Sequence, residues 1–139
     1  MGEKKEMDKV SKELRERVKQ IDILVHNAGC MIHEKKYTKD GIETNFATNT
    51  FTLYYLTKLL LPLLHKESRV ITVSSGGMLT QKLVVDDLYM DDDKFDGTTQ
   101  YARNKRQQIC LTEQFAKMYP SHGKFVTMHP GWVDTAAVR

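Results

Sequence analysis

The chain has 139 residues, 40% of them hydrophobic and 28% charged, enough for one domain with a modest core and too few for two. Its 21 basic and 18 acidic residues leave a formal charge of only +3, spread along the chain, which argues against a dedicated nucleic-acid or membrane-surface face. The most apolar stretch, Phe51 to Leu64, is interrupted by Lys58 and Pro62, so no run approaches the roughly 20 apolar residues of a bilayer helix.

Between Glu3 and Lys19, apolar residues at Met7, Val10, Leu14 and Val18 put one narrow stripe on a charged surface helix. Ile21 to Val25 is a short β-rich run that meets a tight turn at Asn27-Ala28-Gly29, which predicts a buried strand. Residues 41 to 64 carry apolar side chains at helical spacing, from Ile42 and Phe46 through Leu53, Leu56 and Leu60, and predict one long buried helix. Arg69 to Val73 is a second strand, closed by Ser74-Ser75-Gly76-Gly77. From Met78 to Gly97 polarity rises and Asp86, Asp87, Asp91, Asp92 and Asp93 crowd together, as in an exposed loop. Thr98 or Thr99 is placed to cap a third helix running to about Tyr119, and Phe125 to Met128 is a third strand before the turn at Pro130-Gly131.

This order predicts an α/β fold, a Rossmann-like, doubly wound parallel sheet with right-handed crossovers and helices on both faces. Such sheets carry their sites at the carboxyl ends of the strands, where Asn27-Ala28-Gly29, Ser74-Ser75 and His129-Pro130-Gly131 fall. No secretory signal is expected at the amino end, and two cysteines, Cys30 and Cys110, fit a reducing, intracellular, cytoplasmic setting.

Tyr101-Ala-Arg-Asn-Lys105 sets a phenol and an ammonium four apart, on one helix face. Tyr54 and Lys58 share that spacing, but Tyr54 sits inside the apolar run, where a core role is expected. Tyr101 opens the helix that follows the strand ending in Ser75, so its first turn can face that serine. A cation beside a phenol favours phenolate and makes the proton transferable nearer neutral pH, while a serine hydroxyl can hold a carbonyl oxygen. The hydride for carbonyl reduction must come from a cofactor, because no side chain delivers one. His26, Cys30 and His33 cluster near a strand end but complete no metal motif, because Tyr37 stands where His-Glu-x-x-His needs its second histidine; they read as turn residues, with no metal site. Trp132 is placed equally well to touch substrate or to pack.

Asn27-Ala28-Gly29 after a strand, Asn49 in the next helix, Val73-Ser74-Ser75, Tyr101-x-x-x-Lys105 and Pro130-Gly131-x-Val133-x-Thr135 follow one another in an order that resembles the short-chain dehydrogenases and reductases. The segments Ile71 to Met78, Asn104 to Gln108 and His129 to Trp132 are closer still to one subgroup, that of dehydrogenase/reductase family member twelve. The resemblance implies a carbonyl reductase or alcohol dehydrogenase using NAD or NADP on a small-molecule substrate. It implies Tyr101 as proton donor and acceptor, Lys105 as the group that lowers its pKa and binds the nicotinamide ribose, and Ser75 as the group orienting the carbonyl. Asn49 would hold a proton-relay water. Asn27, Ala28 and Gly29 would line the cofactor near its adenosine, and Pro130, Gly131, Val133 and Thr135 would seat the nicotinamide. Helices 42–64 and 98–118 would form a homodimer.

The sequence departs from that family at its amino end, because its eight glycines give no dinucleotide fingerprint. Residues 1–139 are therefore expected to form a partial domain without the first strand-helix-strand unit or the carboxy-terminal substrate-binding elements. The strand at Ile21 should then show an unpaired apolar edge. The alternative expectation is a non-catalytic fragment or short isoform that binds a full-length relative.

Overall fold

The computed structural model describes residues 2–131. Three parallel strands, β1 (Ile21–His26), β2 (Leu64–Val73) and β3 (Lys124–Met128), form one sheet in the order β1-β2-β3. The register aligns Leu24 with Val70 and Val70 with Phe125. Side chains alternate across a strand, so these three share one face. Among the described residues four α-helices accompany them: α1 (Lys4–Arg17), α2 (Thr44–Phe46), α3 (Thr52–Leu60) and α4 (Gly97–Met118). None of the described helices is long and apolar enough to cross a membrane.

Both crossovers step the same way across the sheet, and right-handed crossovers in one direction land on one face. Leu53 of α3 and Phe115 of α4 accordingly close a core with Leu64, Val70 and Phe125. This corrects the expectation of helices on both faces: among the described residues the other face is open. Ile23, Val25, Val126 and Met128 are 58, 51, 44 and 45% exposed there. β1 is an edge strand, as the missing fingerprint suggested.

The long helix expected over 41–64 is broken. Glu43 accepts hydrogen bonds from the amides of Asn45 and Phe46 to cap α2. A π-helical turn, Ala47–Phe51, then widens the helix before α3, and a 3-10 turn at Leu61–Leu63 ends it at Pro62. Leu64 is already strand, paired with Ile21. Leucines at 60, 61, 63 and 64 satisfy either period, and the missing Pro62 amide decides where the helix stops. The cap of α4 also differs from expectation, because Asp96 rather than Thr98 or Thr99 accepts the Thr99 amide, at 2.7 Å. The first turn of α4 lies so close to the segment after β1 that a Cβ on Gly97 would overlap the Ile32 carbonyl oxygen.

Phe115 is 1% exposed and stacks between Tyr54 and Phe125, with centroid distances of 6.0 and 5.8 Å. Phe115→Ala should therefore cost about 3–5 kcal/mol, a large share of a small domain's stability. The urea midpoint measures it, and a change under about 1 kcal/mol would mean that the core collapses to fill the gap.

Candidate active site

Lys105 is 3% exposed, and its Nζ stands 5.4 Å from the centroid of the Tyr101 ring, one helical turn earlier on α4. Two bonds clasp α4 to the end of β2: Lys105 Nζ donates to the Val73 carbonyl at 2.9 Å, and the Ser74 hydroxyl donates to the Lys105 carbonyl at 3.0 Å. Ser75 follows at once. Its Oγ accepts from the Gly77 amide at 3.3 Å and starts the 3-10 turn Gly76–Thr80. Gly77 is so placed that a Cβ on it would meet Ala102, beside Tyr101, at 3.8 Å. The serine pair thus lies along the turn of α4 that presents the tyrosine.

From the other side comes the turn after β1. Asn49, in the π-helical turn, is fully buried; its Oδ1 accepts from the Cys30 amide at 3.0 Å and its Nδ2 donates to the Cys30 carbonyl at 2.8 Å. These are long-range bonds rather than the local ones a helix-interior asparagine usually makes. A Cβ on Gly29 would crowd Asn49 Oδ1 at 3.1 Å and would meet Lys105 Nζ at 3.6 Å, an ordinary contact distance, so this turn runs between the asparagine and the ammonium. Asn27 and Ala28 line a cavity of about 170 Å³ beside Asn49. Asn49, Gly29, Lys105, Tyr101 and the serine pair therefore converge at the carboxyl ends of β1 and β2. Pro130 and Gly131 lie exposed beyond β3. Trp132, Val133 and Thr135 lie outside the described residues.

Burial pushes the Lys105 ammonium down to about 8, opposed by its interaction with Cys30. A lysine so placed exchanges its proton near neutral pH. Burial also pushes the Cys30 thiol up, away from thiolate. His26, bonded to Thr57 Oγ1 at 2.8 Å, is pushed by burial down to about 4 and stays neutral. Among the described residues no three His, Cys, Asp or Glu side chains group to hold a metal.

The His26 shift has a consequence for stability. Between its ordinary value of 6.5 and about 4 the unfolded chain binds more protons than the folded one, so stability falls as pH falls through that window. The slope should approach about 1 kcal/mol per pH unit in denaturant titrations and vanish in His26→Asn. An unchanged slope in the variant would assign the acid sensitivity elsewhere.

Other expectations moved. Tyr54 is 40% exposed and stacks on Phe115 from outside, while Lys58 Nζ donates to the Tyr119 hydroxyl oxygen at 2.6 Å, so the second Tyr–Lys spacing is a surface feature. Leu83 lines an apolar groove between α3 and α4. Gln108, at 2% exposure, was not singled out from the sequence, although three residues after Lys105 it shares the same face of α4.

The family model described as short chain dehydrogenase matches residues 1–86. Dehydrogenase/reductase SDR family member 12 of Bos taurus is 55% identical over 121 residues, covering 86% of this chain and 38% of that relative. The Homo sapiens protein of the same name is 54% identical over 121 residues with the same coverage. The chain thus spans about two fifths of the length of the curated relatives it matches. Among solved structures, a short chain dehydrogenase from Burkholderia cenocepacia J2315 in complex with NADP is 20% identical. It superposes with a TM-score of 0.75 over 98% of this chain and 52% of that one, which is a likeness of fold.

Proposed function

Since the chain belongs to the short-chain dehydrogenase family, we propose that it carries the proton-transfer half of a nicotinamide-dependent carbonyl reductase or alcohol dehydrogenase. The observation that carries this reading is the Lys105 ammonium, 5.4 Å from the Tyr101 ring, tethered to Val73 and facing the Gly29 turn. In it Tyr101 gives its proton to the carbonyl oxygen of a small-molecule substrate and recovers one through Lys105. Ser75 orients that oxygen, and Asn49 holds the turn at Cys30 and the relay beside Lys105.

The residues present suit the ribose and nicotinamide end of NAD or NADP. The Gly29 turn keeps the ground beside Lys105 free of side chain, and the ammonium offers donors to ribose hydroxyls. When bound, the dinucleotide supplies the hydride. Asn27, Ala28 and Gly29 would line it on one side, and Pro130, Gly131, Val133 and Thr135 on the other. We also infer that two copies pair through the faces of α3 and α4, where Phe51, Tyr54, Leu83, Cys110 and Leu111 line an apolar groove of about 370 Å³.

A second reading, a non-catalytic partner of a longer relative, is favoured by the open sheet face at Ile23, Val25, Val126 and Met128. Titration of the folded chain with each reduced dinucleotide, followed by nicotinamide fluorescence, separates the two. Saturable binding supports the oxidoreductase reading and selects the cofactor. A folded chain that binds neither supports the second reading.

A further inference from the structure

Gln108 is buried at 2% exposure on α4, where a leucine would fill the space at no cost in desolvation. Its Nε2 donates to the Asn49 carbonyl at 2.6 Å, while its buried Oε1 has no hydrogen-bond partner within the protein. A buried amide with one half unpaired costs free energy unless water reaches it. Gln108 lines the cavity of about 170 Å³ beside Asn27 and Asn49, which is roomy enough to admit water. The side chain is therefore retained for what its N–H does.

That N–H holds a residue in an unusual stretch of helix. Asn49 lies in the π-helical turn Ala47–Phe51, where the backbone is widened, and its side chain clamps both polar groups of the Cys30 backbone. The clamped turn carries Gly29, where a Cβ would crowd Asn49 Oδ1 at 3.1 Å and would lie 3.6 Å from Lys105 Nζ, so the turn packs directly against both groups. We infer that Gln108 is a positioning residue: by bonding the Asn49 carbonyl it fixes the Asn49 clamp on Cys30, and so holds the Gly29 turn against Lys105. Lys105 and Gln108, one turn apart, make α4 grip both β2 and the turn after β1. The consequence for turnover rests on the proposed oxidoreductase reading, whereas the positioning is read without any activity.

The test compares Gln108→Leu and Gln108→Glu with the wild-type chain by amide hydrogen exchange. The Cys30 amide reports on the clamp, and the Val70 and Ile71 amides of β2 serve as reference. Gln108→Leu should lower Cys30 protection about tenfold or more while the reference amides hold. Gln108→Glu should behave like wild type at about pH 5, where a buried carboxylic acid keeps its proton and donates it to the Asn49 carbonyl. At higher pH its carboxylate should lose the clamp, as Gln108→Leu does. Equal Cys30 protection in Gln108→Leu and wild type would overturn the proposal. So would a Gln108→Glu chain whose Cys30 protection does not change with pH, and that comparison decides the matter if the leucine variant fails to fold. Turnover retained in Tyr101→Phe would overturn the oxidoreductase reading alone and leave the exchange result standing.

Discussion

Tyr101→Phe should lower carbonyl turnover by a factor of about 10²–10⁴ while leaving the fold and dinucleotide affinity nearly unchanged. The substitution isolates the hydroxyl. Phenylalanine keeps the ring beneath the Lys105 ammonium, and an exchange of Tyr for Phe at a half-buried position removes little packing. What disappears is the hydroxyl that this turn of α4 offers to hold a proton near a substrate oxygen. The measurement is oxidation of reduced dinucleotide by a carbonyl substrate, with circular dichroism and the cofactor titration run beside it. Activity within about threefold of wild type would remove Tyr101 from the proton path.

The sequence made the strand ends legible because each joins an apolar β run to small or polar residues, and a parallel sheet gathers such ends on one rim. Asn49 was legible only through the family resemblance. Its role depends on a bond to Cys30, nineteen positions away, and on a π-helical turn that no periodicity reveals. Local spacing was equally silent about Gln108, which acts on a backbone carbonyl contributed by another helix. The end of the second helix was misplaced because leucines at 60 to 64 fit helix and strand alike, whereas the alignment of Leu64 with Ile21 is set by tertiary pairing. Helices on both faces were expected from element order alone. The order β1-β2-β3, with both crossovers stepping one way, is what assigns α3 and α4 to a single face.

Lys105→Met should abolish turnover and yet leave the chain as stable as before, or more so. The wild-type ammonium is buried, and burial lowers its pKa from 10.5 to about 8. That shift corresponds to a penalty on the order of 3 kcal/mol for keeping the charge inside the fold at neutral pH. Against it stands the bond from Nζ to the Val73 carbonyl, whose loss strands an acceptor at a cost of about 1–3 kcal/mol. Methionine, similar in length and uncharged, fills the space, so the net change should lie between zero and a gain of about 2 kcal/mol. The sign of the pH dependence separates this account from simple repacking. Between about 8 and 10.5 the unfolded chain holds more protons at this lysine than the folded one, so wild-type stability rises with pH across that window. The methionine variant lacks that rise, and its advantage should shrink steadily above about pH 8 and reverse once the wild-type amine is neutral. Urea unfolding of both chains across this range measures the difference. A difference independent of pH would mean that the ammonium is solvated in the folded chain, and Lys105 would then be no better suited than a surface lysine to pass protons near neutral pH.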